Sequence, residues 1–124
     1  MSLENAIITF LIAFAIKHFV VDFILQREYQ WRNKGTYGHM GGIEHATLHA
    51  FATLVILFFF TSFDIALMLA LLDGVIHYHI DWAKMKLNAV TGWKPDTHPE
   101  FWWLLGLDQL LHSLTYILIL YILL

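Results

Sequence analysis

Four apolar stretches of helix length, at roughly 4–26, 42–61, 63–87 and 100–124, constrain this chain more than any other feature. Each is close to the ~20 residues that carry an α-helix across the hydrocarbon of a bilayer. They take up most of the 124 residues, of which 59% are hydrophobic and 14% charged, with a mean hydropathy of +0.63. A soluble domain of this size has no need of so much apolar surface. The stretches are joined by a polar loop from Arg27 to Gly41, a tight turn around Ser62 and Asp64, and a second polar loop from Asn88 to Pro99. Gly35, Gly38, Gly92, Pro95 and Pro99 punctuate the two loops. The pattern predicts a single all-α domain, an integral membrane four-helix bundle running up-down-up-down. A soluble bundle is the alternative, because the spans carry several ionisable groups.

Charge placement orients the bundle. Arg27, Arg32, Lys34, Lys84, Lys86 and Lys94 lie at the ends of spans one and three or in the long loops, while the termini and the short turn carry no Lys or Arg. By the positive-inside rule the long loops are cytoplasmic and both termini lie outside a cell (inner) membrane. Lys17 falls within the first span, where its stem snorkels or its ammonium pairs with a nearby carboxylate. A net charge of −3, with no basic tract, argues against nucleic acid as a partner. There is no cysteine, hence no disulfide or thiolate site, and no cleavable signal peptide is expected at the N-terminus.

The polar residues inside the spans recur four apart, which places them on one helix face at about 100° per residue. Span one has His18, Asp22 and Gln26; span two His45 and His49; span three Asp73, His77 and Asp81, then Lys84; span four Asp108 and His112. All lie toward the cytoplasmic half. HFVVDF at 18–23 and HYHIDW at 77–82 repeat one phrase, so the chain reads as two helical hairpins related by a pseudo-twofold axis along the membrane normal.

Charged groups within a membrane usually face one another across the bundle interior. Imidazole and carboxylate are the ligands of Zn, Mn or Fe, and a pair one turn apart can bind one ion from a single helix. The expected ligands of this divalent metal, zinc first with manganese or iron as alternatives, are Asp22, His45, His49, His77, Asp81, Asp108, His112 and His18. Asp73, the deepest, either supports His77 or joins them. The donors exceed the four of one tetrahedral site, which points to two ions or to one with carboxylates orienting its histidines. Gln26, Lys34, Lys84 and Gln109 lie at the cytoplasmic mouth, placed to orient an anionic substrate or stabilise developing charge. His79, about 200° from His77, faces another helix or lipid. His39 and His98 fall in loops, Glu44 at a helix start. Trp31, Trp82, Trp93, Trp102 and Trp103 form an aromatic belt, and Phe58 to Phe60 face lipid.

HFVVDFILQ, Lys34, HATLH, HYHIDWAK and DQLLH together resemble an uncharacterised bacterial and phage membrane family, the domain of unknown function 3307. The likeness spans nearly the whole chain and implies the bundle and its polar layer without naming an activity. More distantly, the His/Asp pairs are similar to those of membrane proteins described as metal-dependent hydrolases. The reading that uses most of these residues is a membrane hydrolase acting on a phosphorylated or other anionic lipid-like substrate. Binding or transport of a metal ion or protons is the runner-up, opposed by the apolar outer half of every span. Haem fits poorly beside so many carboxylates.

Overall fold

Local signals set where the helices begin and end. The computed structural model describes residues 1–124, all helix and connecting turn. Helix α1 covers Leu3–Phe19 and continues into a π-helical turn over Val20–Ile24; α2 covers Glu28–Asn33, α3 Met40–Leu57, α4 Phe63–Thr91 and α5 Pro99–Leu123. Four of these, α1 with its π-helical end, α3, α4 and α5, are long and apolar enough to cross a membrane.

The Ser2 hydroxyl caps α1 by accepting from the Asn5 N–H at 3.2 Å. Helix α3 stops at Leu57, short of the expected 61, because the Phe59 and Phe60 amides turn back onto Ile56 and Leu57 in a tight turn. Helix α4 runs to Thr91 rather than 87. Nothing between those positions breaks a helix, and the chain turns only at Gly92, whose φ of 70° is left-handed. Pro99 then opens α5, where its missing N–H leaves no bond unmade.

Helix α2 was not legible in the apolar pattern, being too short to show a period. It lies directly on the start of α3. A Cβ on Gly41 would sit 2.4 Å from the Tyr29 carbonyl oxygen, and one on Gly42 would sit 3.1 Å from Lys34 Cα. That approach buries Gln30 and carries Lys34 inward. Helices α3 and α4 pack just as closely, since a Cβ on Gly74 would stand 2.9 Å from Ala50 Cβ.

The interior divides in two along the bundle. Phe10, Phe14, Leu57, Ala66, Leu69, Tyr116 and Ile119 form one apolar cluster, drawn from α1, the first half of α4 and the last parts of α3 and α5. Toward the other end of the bundle α3, α4 and α5 bury His45, His49, His77, Asp81, Asp108 and His112, while Ile12, Phe51, Met68, Leu110 and Leu118 are exposed. More polar and charged side chains than hydrophobic ones are buried, the reverse of a soluble protein.

Candidate metal centre

The four-residue spacing becomes geometry where the helices face one another. Asp22 sits in the π-helical turn, marked by the Leu25 N–H bonding to the Val20 carbonyl at 2.8 Å, five residues back. Such single π turns often occur at functional sites. The wider turn brings both Val21 and Asp22 to the inner face. Asp22 Oδ1 then lies 2.7 Å from His49 Nε2, 3.0 Å from His45 Nε2 and 3.6 Å from His77 Nε2. The His45 and His77 Nε2 atoms are 3.3 Å apart. On the far side, Asp81 Oδ2 lies 3.3 Å from both of those nitrogens and Asp81 Oδ1 lies 3.2 Å from His112 Nε2. The rings of His49, His77 and His112 are stacked, with centroids 3.6 and 4.0 Å apart.

Two buried groups therefore have the composition and spacing to hold a metal ion: Asp22, His45, His49 and His77, and His77, Asp81 and His112. The edges of a tetrahedron with metal–ligand bonds of 2.0–2.1 Å are about 3.3 Å long. The separations of 2.7, 3.0 and 3.6 Å from Asp22 Oδ1, and of 3.3 Å between the His45 and His77 nitrogens, bracket that length. As plain hydrogen bonding the arrangement is strained: three imidazole nitrogens crowd one carboxylate oxygen, and two of them face each other. A neutral imidazole has one donor and one acceptor nitrogen. A cation among the nitrogens removes the conflict, so the residues present fit a divalent ion. Because one nitrogen lone pair serves one ion, His77 completes either group but not both.

The remaining residues singled out by spacing sit around these groups. Asp108 Oδ1 is 3.4 Å from His112 Nε2. Lys34 Nζ is 3.0 Å from Asp81 Oδ2, and Lys84 Nζ is 3.7 Å from Asp108 Oδ2. Gln26 turns back to donate to the Asp22 carbonyl at 2.6 Å, closing the end of α1.

Gln109 fixes the role of His18. Its amide donates to Asp108 Oδ2 at 3.0 Å, which turns its oxygen toward His18 Nε2 at 2.8 Å. An amide oxygen only accepts, so in the neutral ring this network assigns the proton to His18 Nε2, with Asp22 Oδ2 3.2 Å from the same atom. His18 Nδ1 then accepts from the Tyr116 hydroxyl at 2.9 Å. His18 thus stands outside both metal-binding groups and steadies Asp22 through Oδ2, leaving Oδ1 to the three histidines.

Asp73 is also apart from them. It pairs with Lys17 at 2.7 Å and accepts from the Thr53 hydroxyl at 2.5 Å, so of its two expected roles the structure supports neither a contact with the donors nor a bond to His77. The reason is depth: Asp73 is one turn nearer the apolar cluster, level with Lys17. Tyr116 links the layers, its hydroxyl lying 3.4 Å from Lys17 Nζ and bonded to His18. Thr53 and Tyr116 were missed, although each continues its helix's four-residue ladder by one turn, after His49 and His112. Gln30, fully buried in α2, carried no comparable signal.

His79 lies outside both groups, donating to the Val75 carbonyl through Nδ1 and accepting through Nε2 from Tyr37, a residue of the α2–α3 connection rather than of another helix. His39 caps α3, and Glu44 pairs with Arg27. The two copies of the repeated phrase are unequal in use, since His77 sits at the centre of the donors and His18 at their edge.

No curated protein and no solved structure matches this chain. A family described as a protein of unknown function, DUF3307, matches residues 10–124, the stretch that contains every donor above. The chain belongs to that family.

Proposed function

We propose that this chain is an integral membrane, metal-dependent hydrolase whose centre lies in the cytoplasmic half of an up-down-up-down bundle and acts on an anionic, lipid-like substrate. Burial supports the membrane setting, since a bundle that turns apolar side chains outward and collects Lys, Asp and His inside is suited to a hydrocarbon solvent. Arg27, Arg32, Lys34 and Lys94 lie in the long connections and Lys84 and Lys86 near the end of α4, a distribution that by the positive-inside rule supports a cytoplasmic reading for that end.

The observation that carries the hydrolase reading is the sharing of His77 between two donor groups. With His77 beside Asp81 and His112, each group has three protein donors, and three donors with an open position are the arrangement of catalytic rather than structural sites. A divalent ion there supplies a Lewis acid and a water acidic enough to act as a nucleophile near neutral pH. Asp22, His45 and His49 would hold one side of the centre and Asp81 and His112 the other, with Asp108 against His112. Lys34 and Lys84 offset the carboxylates and face an incoming anion. His18 and Gln109 keep Asp22 and Asp108 in place. Nitrogen-rich donors with carboxylate favour zinc, with manganese or iron as alternatives.

The test is elemental analysis of detergent-purified protein beside His49→Ala and His77→Ala, coupled to hydrolysis of phosphate esters. Stoichiometric metal that disappears in both variants, with turnover abolished by chelation and restored by Zn²⁺, is the expected result. Metal-free wild type after growth in zinc overturns the metal centre. Full metal without any turnover favours transport instead. One observation speaks for that second reading: the string Asp73, Lys17, Tyr116, His18 extends the polar layer deeper into the bundle. Beyond it the Phe10, Phe14, Leu57 and Ile119 cluster closes the path. Metal or proton flux into liposomes would reopen it.

A further inference from the structure

Between α4 and α5 runs a groove of about 520 Å³ that is mostly apolar and reaches Asp108, beside the donor groups. Ile76 and Ile80 wall it from α4, Leu104 and Leu111 from α5, and Lys84 and Asp108 supply its charged members. The groove extends along α4 from Leu87 to Val75, about 18 Å at the helical rise per residue. One leaflet of bilayer hydrocarbon is half of ~30 Å. A chain of the same leaflet fits that length, with its polar end near Lys84.

Lys84 differs from the other two buried or half-buried lysines. Lys17 and Lys34 hold their aspartates at 2.7 and 3.0 Å, whereas Lys84 stands 3.7 Å from Asp108 with its side chain 18% exposed. It is loosely held and has donors to spare for an anion. Asp108 borders the groove and approaches His112 at 3.4 Å, so an anion at Lys84 is one side chain from the metal-binding nitrogens. The other large grooves lack this combination. The one between α1 and α3 contains a lysine already committed to Asp73, the one between α3 and α4 has no Lys or Arg, and the one between α1 and α5 reaches His18 without a cation.

We propose that the α4/α5 groove seats the hydrocarbon chain of a phosphate-bearing membrane amphiphile, its phosphate on Lys84 facing the Asp108–His112 edge of the centre. This rests on the reading of the protein as a membrane hydrolase and names its substrate class. A divalent ion held beside Asp22, Asp81 and Asp108 would offset their charge and add to the pull of Lys84 on the phosphate. Binding of the amphiphile therefore strengthens with metal. The reaction is hydrolysis: the oxygen of water bonds to phosphorus, the ester P–O bond breaks, and the leaving oxygen takes up a proton.

A long-chain alkyl phosphate with a diazirine in mid-chain tests the groove without requiring turnover. Zinc-loaded protein in maltoside micelles is irradiated with the probe and the labelled residues are mapped by mass spectrometry. Labels are expected on Ile76, Ile80 and Leu111. Lys84→Gln should lower them about tenfold, the loss of one charge-assisted phosphate contact, and Lys84→Arg should keep them. Leu107→Trp, which fills the groove from an exposed position, should abolish them while metal content stays unchanged. The matching alkyl phosphocholine should label weakly, and chelation should reduce labelling by the phosphate probe. Labels spread evenly around the bundle, or unchanged in Lys84→Gln and Leu107→Trp, overturn the groove. A probe held in the groove but never hydrolysed sinks the hydrolase reading alone; one hydrolysed but labelled elsewhere sinks the groove alone.

Discussion

Replacing Lys17 with methionine removes one half of an ion pair sealed inside the bundle. The ammonium lies 2.7 Å from Asp73 Oδ2, and the two side chains are 2% and 1% exposed. Without Lys17, Asp73 keeps only the Thr53 hydroxyl, and its Oδ1 has no partner to begin with. Breaking a buried pair from one side costs about 3–5 kcal/mol, because a charge is left without its counterpart. Asp73→Leu is milder. The ammonium retains the Tyr116 hydroxyl at 3.4 Å and that ring's face at 4.6 Å, a contact that recovers about 1 kcal/mol and lowers the loss to about 2–4 kcal/mol. The double variant removes both charges and should return to within about 1 kcal/mol of wild type, a coupling of about 4 kcal/mol or more. Unfolding in mixed micelles, followed by circular dichroism, measures all three. Metal content should be unchanged in the double variant, since neither residue belongs to the donor groups. A loss below about 1 kcal/mol for Lys17→Met, or a double variant as damaged as the sum of the singles, refutes the argument.

Three further outcomes follow from the same geometry. His18→Ala should retain the metal but bind it some 10–100-fold more weakly, and His18→Gln, which keeps a donor, should recover most of that affinity; isothermal titration against a chelator checks this, and a site emptied by His18→Ala as completely as by His77→Ala would make His18 a ligand. Gly74→Val should force α3 from α4 at Ala50, costing about 1–3 kcal/mol and weakening metal retention by spreading His45 and His49 from His77; unchanged unfolding and metal content would show the interface to be slack. Metal at a hundred times its Kd should stabilise wild type by about 2.7 kcal/mol and leave His77→Ala unaffected, as read from unfolding midpoints with and without chelator; equal shifts in both would place the ion elsewhere.

The apolar lengths and the four-residue polar ladders were enough to set four helices and to gather the donors on their inner faces. Periodicity reports which face of a helix a residue shares, and in an apolar surrounding polar faces have no alternative but one another. What periodicity does not report is depth and direction across the bundle. His18 and Asp22 look like His77 and Asp81 in sequence, yet the π-helical turn and the Gln109 amide place His18 beside the donor groups and His77 between them. Asp73 shares a face with His77 and Asp81 but lies level with Lys17, Thr53 and Tyr116, so its charge is satisfied a turn away from the nitrogens. Lys34 is a loop residue by composition, and only the packing of α2 on Gly41 and Gly42 brings it to Asp81. A helix face follows from spacing along one chain segment, whereas a partner follows from how two segments cross, and the close glycine contacts that decide those crossings become visible only when the helices are assembled.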